Sequence, residues 1–276
     1  MASNHVPQSL FGDVVQSESL SLFSSTSSHP FALWSLHQDA DLQEDSGIRL
    51  LDDATDELAS SDPGITPEAF ALRIDEQVRG SISDPVLHIQ SPAIRNTFIR
   101  SPPIEETELG IKLPHVTFQF RSIGSSRPFV FEIGIRDQDG RSGTIRLSSF
   151  QTEPRLYLKH LRRKPTASMT DEDNDGTSRT EPLLHLPLDM AATPASDETS
   201  LTPWQVATLP LDKLARYLSD TSLISHVDSE LVRQSQRFGN FYSISYVKVH
   251  ANMRLRRVWC SQHLPDHELA EIQVFS

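Results

Sequence analysis

Phe241-Tyr-Ser-Ile-Ser-Tyr-Val-Lys-Val-His250-Ala-Asn-Met-Arg-Leu-Arg-Arg-Val-Trp-Cys-Ser261 is the densest β-forming stretch in the chain. Alternation puts Ser245, Val247, Val249 and Ala251 on one face of an extended strand and Ile244, Tyr246, Lys248 and His250 on the other. Asn252 is a turn residue, and Arg254 to Ser261 resumes as a second strand. There Arg254 and Arg256 point one way and Arg257 the other. Two strands cannot bury an apolar face by themselves, so the rest of the chain must supply a sheet.

Composition bounds the search. The 276 residues suffice for one large domain or two small ones. The apolar fraction of 37% lies below the usual value of about 45–50%, and the chain has 18 prolines, so part of it is expected not to pack. No apolar run approaches the length of a membrane span, and no basic-then-apolar leader opens the sequence. The single cysteine, Cys260, excludes an internal disulfide and suits a reducing compartment, cytosolic or nuclear. The net charge of −12 is uneven: residues 1–85 carry −12, 86–165 carry +6, 166–238 carry −7 and 239–276 carry +1. The strand-rich parts are mildly basic. Such asymmetry bears on partners rather than on fold.

Outward from the opening stretch, short strands recur. His115 to Phe120, with Val116, Phe118 and Phe120 on one face, is followed by a Gly124 turn. Phe129 to Arg136 alternates again, and Asp137-Gln-Asp-Gly140 is a hairpin turn into Gly143 to Leu147. Further strands are expected at Pro30–Trp34, Phe70–Ile74, Val86–Gln90, Asn96–Arg100, Leu156–Arg163, Leu183–Leu188 and Trp204–Leu211, with an edge strand starting at Leu20, Leu22 and Phe23. Asp39 to Pro67 reads as an exposed acidic loop and Pro165 to Thr180 as disordered. Two short helices are expected, Asp212 to Leu218 capped by Asp212, and Asp228 to Gln236. Strands at this spacing predict an all-β sandwich or barrel.

Catalytic and metal motifs fare poorly. Asp171, Asp173, Asp175 and Gly176 open like a calcium loop, but its twelfth position is Pro182 rather than glutamate, so a solvated acidic linker is the better reading. The 11 histidines show no metal-ligand spacing, and neither a nucleophile elbow nor a phosphate loop is present. Cys260 beside Trp259 reads as a core residue. Trp34, Trp204 and Trp259 all fall in expected strands, which speaks against an exposed glycan platform. Two basic clusters remain: Lys159 to Lys164, read as a solvated turn, and the Arg254, Arg256, Arg257 group. Guanidinium groups on one sheet face can hold carboxylates bidentately. The group is too small, and too poor in interleaved aromatics, for nucleic-acid binding to be favoured.

Leu109-Gly-Ile-Lys-Leu-Pro114 and Val249-His-Ala-Asn-Met-Arg-Leu-Arg-Arg-Val258 resemble the T-L-G-I-K-L-P and I-H-A-N-C-R-I-R-R-V segments of the cilia- and flagella-associated protein 20 domain family. Shorter matches keep the same order: Pro30–Trp34, Phe150-Gln-Thr, Leu186–Asp189, Trp204–Leu211 and Leu264–Leu269. The resemblance covers most of residues 18–272, with insertions near 40–67, 166–180 and 219–238. It implies a jelly-roll-type β-sandwich spanning 18–276 as a single domain, after a flexible N-terminus at 1–17. It also implies a non-enzymatic role in cilia, flagella or centrioles, binding tubulin or other microtubule-associated proteins. Motif position then makes Lys112, His115, Arg254, Arg256 and Arg257 the candidate partner-binding residues. Neither a cofactor, a metal nor a small-molecule substrate is expected.

The acidic inserts depart from the family's basic character and would repel an acidic lattice over roughly a Debye length, about 8 Å. That leaves a second reading, a cytosolic or nuclear interaction module that keeps the sandwich without microtubules. Within the candidate group, Arg254 and Arg256 are expected on a partner surface and Arg257 in an internal ion pair.

Overall fold

A computed structural model describes residues 8–42, 44–58, 85–124, 127–161, 179–188, 202–224 and 237–264. The strands are β1 (Ser19–Ser24), β2 (Ser35–His37), β3 (Gly47–Asp52), β4 (Pro85–Gln90), β5 (Phe98–Ser101), β6 (His115–Ser122), β7 (Val130–Asp137), β8 (Ser142–Ser148), β9 (Arg155–Leu161), β10 (Arg179–Pro187), β11 (Gln205–Pro210), β12 (Phe241–His250) and β13 (Met253–Ser261). They form two sheets. One runs β11-β6-β13-β4-β3 with β1 also on β13, and the other runs β2-β5-β12-β7-β8-β10-β9. The protein is an all-β sandwich, as its strand pattern and its resemblance both predicted.

The opening stretch does not fold as a hairpin. β12 lies inside one sheet, between β5 and β7, and β13 lies inside the other, against β6. The corner between them is Asn252, whose side chain accepts from Ser91 N at 2.8 Å and donates to Pro128 O at 3.0 Å. β6 and β7 likewise sit in opposite sheets rather than pairing across the Gly124 turn. Successive strands that change sheet in this way are characteristic of jelly rolls. Since the two sheets meet face to face, the inward residues of β6 and β7 meet as well. Phe118 stacks on Phe131 with ring centroids 4.3 Å apart, and Phe120 packs edge-on to Phe131 at 4.9 Å. That phenylalanine stack is the middle of the core.

Bulges break the alternation, and two of them bear on the candidate residues. In β12 the register with β7 shifts between Ile244 and Tyr246. The cause is a third chain segment: Leu109 N donates to Ser245 O at 2.8 Å, Gly110 N to Ile244 O at 2.9 Å, and Ile244 N to Ile111 O at 2.7 Å. Ile244 therefore joins Val247 and Val249 in the core, although simple alternation put it with Tyr246. In β13 the register with β6 shifts between Leu255 and Arg257. At that point the other edge of β13 changes neighbour, from β4 over Met253–Leu255 to β1 over Arg257–Ser261. Bulges supply one extra residue where pairing must be re-aimed.

Other expectations are corrected by specific contacts. Pro30–Trp34 is a turn, and its strand starts at Ser35. Within the acidic stretch 39–67, Gly47–Asp52 is a strand and Asp39 is buried, accepting from Asn96 Nδ2 at 2.9 Å. Arg179 and Thr180 belong to β10 rather than to a linker. The expected helix at 212–218 is an α-turn at Leu211–Leu214 running into a 3-10 turn at Ala215–Ser219, and Pro210, not Asp212, precedes it without a side-chain cap. From Gln8 on, the N-terminal stretch is hydrogen-bonded: Leu10 N donates to Glu108 O at 2.9 Å, and Gln16 bridges Gly110 O and Lys112 N. The strand expected at Phe70–Ile74, the Arg162–Lys164 cluster, the Asp171–Gly176 run and the helix at Asp228–Gln236 lie outside the described residues.

Candidate functional site

The outer face of the β6–β13 pair is where the candidate arginines lie. Val116, Phe118 and Phe120 of β6 turn inward, so Thr117, Gln119 and Arg121 turn outward. On β13 the core residues Leu255 and Val258 are separated by two positions, and the bulge leaves both Arg256 and Arg257 outside the core. Arg254 is paired across the strands with Arg121. Like charges directly opposite destabilise a sheet unless something neutralises them.

Asp53 does so. It sits just past the end of β3, in a loop folded on itself: Asp52 Oδ1 accepts from Ala54 N and Thr55 N, and Asp56 N donates to Asp52 O at 3.0 Å. Asp56 has a φ of +62°, a left-handed conformation that aspartate tolerates better than most residues. The loop lays two carboxylates over the guanidinium groups. Asp53 Oδ1 takes Arg254 Nη1 at 2.9 Å and Arg121 Nη2 at 2.5 Å, while Asp56 Oδ1 takes Arg254 Nη2. Asp53 Oδ2 accepts from the Trp204 indole N–H at 3.2 Å and lies 3.8 Å from Arg256 Nη2. The Trp204 ring is itself a platform, with Arg256 at 4.2 Å from its centroid and Arg121 at 5.2 Å. One carboxylate thus faces three arginines and an indole. Burial lowers the Arg121 pKa, with Arg254 and Arg256 adding repulsion that Asp53 counters. The guanidinium stays charged at any physiological pH.

The surface position expected for Arg254 is overturned. Arg254 is the buried ion, 3% exposed and engaged by both aspartates. Arg257 is only half-buried. The other two candidates lie elsewhere. His115 opens β6 opposite Ser261, six residues from Arg121 and so about 20 Å away along the strand. It is buried, and its Nδ1 has no hydrogen-bond partner. Lys112 is exposed, donating to Gly12 O at 3.2 Å and lying 5.6 Å from the Tyr242 ring centroid. The five candidates do not form one site.

Arg121 and Asp53 were not singled out from the sequence, and Trp204 was read only as a strand residue. A signal for Arg121 existed, since it continues the outward alternation of β6 and ends beside the Gly124 turn. Asp53 is 201 residues from Arg254, and nothing local marks that pairing.

A second polar network crosses the outer face of the other sheet. Glu132 on β7 accepts from Arg146 Nη2 at 2.6 Å and from the Tyr246 hydroxyl at 2.9 Å. Burial pushes the Glu132 carboxyl up, but the Arg146 charge and hydrogen bonds, with Lys248 and Tyr246, outweigh it and hold the group below the ordinary carboxylate range. Lys248 lies 5.2 Å from the Phe98 ring centroid and 5.4 Å from that of Tyr246. Among the described residues no cluster of metal-ligating side chains occurs, and no helix is long and apolar enough to cross a membrane. Cys260 is fully buried, which pushes its thiol pKa far up and leaves it unreactive.

Fold and cluster together define an all-β sandwich protein with an arginine-lined sheet face held by an acidic loop. The CFA20 domain is the family whose model matches, over residues 71–166, a range that contains β4 to β9 and Arg121. Over that range the chain is similar to the CFA20-domain family. The Val249–Val258 motif lies beyond the matched range but packs into the same sandwich, its β13 half paired with β6. No curated protein matches the chain.

Proposed function

We propose that this chain is a non-enzymatic structural protein of the cilium, flagellum or centriole type, binding tubulin or another microtubule-associated protein through the arginine-bearing outer face of β6 and β13. The observation that carries this reading is the CFA20-domain match, because it contains β6 and the Arg121 that stands opposite Arg254. Arginine stacked on an indole is a common anchor for partner proteins, since it presents planar donors at low entropic cost. Microtubule co-sedimentation across a salt series tests it. Pelleting at low salt that weakens as salt rises is expected, because exposed charge pairs are screened beyond about 8 Å at physiological ionic strength. A chain that stays in the supernatant at the lowest salt overturns direct lattice binding.

A second reading has its own support. Asp53 and Asp56 already occupy the guanidinium groups, so the face offers less positive charge than its arginines suggest. This favours an interaction module that keeps the sandwich without the microtubule.

A further inference from the structure

We infer that the outer face of the sheet β2-β5-β12-β7-β8-β10-β9 docks an extended acidic peptide segment of a partner protein. The segment lies across the strands, along the row Arg100–Lys248–Glu132–Arg146–His185–Arg155. This face belongs to a different sheet from the one proposed for β6 and β13, and the inference stands without that reading.

The row follows from register. Arg100 of β5 is opposite Lys248 of β12, Lys248 is opposite Glu132 of β7, and Glu132 is opposite Arg146 of β8. Arg146 is opposite His185 of β10, and His185 is opposite Arg155 of β9. Their neighbours along each strand, Ile99, Val247, Ile133, Ile145, Leu184 and Leu156, belong to the core, so the row faces out of the sandwich. Six strands thus contribute one side chain each to a single line. Burial keeps His185 neutral at neutral pH, which leaves four cations against one carboxylate in a chain whose net charge is −12.

Like charges directly opposite cost a sheet stability, and Arg100 and Lys248 are such a pair. Arg100 is buried and donates to the carbonyls of Ile104 and Glu105 at 3.1 and 3.2 Å, which hold its guanidinium without cancelling the charge. Lys248 Nζ lies over the Phe98 and Tyr246 rings rather than on Glu132, whose carboxylate takes Arg146 and the Tyr246 hydroxyl. Arg155 is exposed, with no carboxylate partner among the described residues. Two acids flank the line without belonging to it: Glu105 near Arg100, and Glu181, which accepts from Thr144 Oγ1 at 3.3 Å. Charge complementarity therefore calls for an acidic occupant.

Spacing narrows the choice. Neighbouring strands stand about 4.8 Å apart, so Lys248, Arg146 and Arg155, each two strands from the next, are spaced by about 9.6 Å. An extended peptide rises about 3.1–3.4 Å per residue, so carboxylates three residues apart match that interval. A nucleic-acid backbone carries a charge on every unit and would set one against Glu132, in the middle of the line. The β9 end adds an apolar contact. Phe150 and Tyr157, 52% and 42% exposed, flank His185 with ring centroids at 5.8 and 6.4 Å. An acidic peptide that ends in an apolar side chain fits both features.

The test uses the full chain at physiological salt and a fluorescent peptide with glutamate at every third position and a terminal leucine, read by anisotropy. Lys248→Gln and Arg155→Gln are each expected to weaken binding about fivefold. Arg49→Gln, at an exposed position of β3 in the other sheet, should leave it unchanged. No binding by the native chain overturns the inference, and so does an equal loss with Arg49→Gln. Equal affinity for a peptide of the same residues with its glutamates contiguous overturns it as well, as does tighter binding of a single-stranded oligonucleotide of the same charge. Should Lys248→Gln fail to fold, the exposed Arg155→Gln decides alone.

Discussion

Gly134 of β7 and Tyr246 of β12 lie so close across their strands that a Cβ on Gly134 would stand 2.2 Å from Tyr246 Cε1 and 2.5 Å from Ser245 Oγ. The glycine is not there for its backbone, which is ordinary strand. It leaves room for the Tyr246 ring, whose hydroxyl reaches Glu132 and Thr144. Gly134→Ala is therefore expected to destabilise the fold by about 3 kcal/mol, the upper end of overpacking costs. Urea denaturation checks it. Combining the change with Tyr246→Ala should recover part of the loss, whereas an additive double mutant would show that the ring is not what fills the space.

Asn252 joins the two sheets through one side chain, accepting from Ser91 N and donating to Pro128 O while 3% exposed. Asn252→Ala leaves a buried N–H and a carbonyl without partners, and should cost about 3 kcal/mol. Asn252→Asp keeps the acceptor but loses the donor and buries a charge, so it should be no milder than alanine. A melting temperature for the aspartate variant equal to that of the native chain would show that the corner is held by something else.

The sequence was most readable where a strand keeps the same neighbours along its length. The alternation of β6 and β7 placed Phe118, Phe120, Phe131 and Ile133 correctly, because the extra residue at each bulge lies on the partner strand, β13 or β12, and not on β6 or β7. It misled at Ile244 and at Arg257. At both, a long-range event inserts an extra residue: the Leu109–Ile111 segment binds β12, and β13 exchanges β4 for β1. Such events have no period. Asp53 was hidden for a related reason. An acidic, turn-rich loop reads as solvated, and only the three-dimensional fold brings it over arginines far along the chain. The hairpin turn at Asp137–Gly140 was legible because its chemistry is local: Gly140 has φ +75°, and Asp137 Oδ1 accepts from Asp139 N and Arg141 N.

His185 gives a pH dependence. It is 6% exposed, with Nε2 bonded to Ser148 Oγ at 2.8 Å and its ring edge-on to Phe150. Burial, then the nearby Arg146 charge, lowers its pKa from 6.5 to about 4, with Glu132 acting weakly the other way. The unfolded chain takes up a proton at this position below pH 6.5 while the folded chain does not until about 4. Its contribution is thus complete above pH 6.5 and is lost progressively as pH falls through that window. His185→Gln should flatten the stability–pH curve between those limits and leave its shape above neutrality unchanged. An unaltered acid slope in urea titrations at stepped pH would remove His185 as its source.

Arg254 and Arg256 are two residues apart and should behave differently on substitution. Arg254 is 4% exposed at its side chain and holds both loop aspartates, so Arg254→Ala leaves Asp53 buried against fewer cations and unfastens Asp56. Removing one partner of a buried pair typically costs about 3–5 kcal/mol. Arg256 stands at 3.8 Å from Asp53 and stacks on Trp204. Arg256→Gln should cost only about 1 kcal/mol. Charge reversal at both positions cannot be used to probe a partner surface, because Arg254→Glu would unfold the β3–β13 junction before any partner was tested. Arg256→Gln is the substitution that probes the face at the least cost to the fold, since Arg121, like Arg254, is hydrogen-bonded to Asp53. Equal losses for Arg254→Ala and Arg256→Gln in parallel urea titrations would mean that Arg254 is not the ion on which the loop depends.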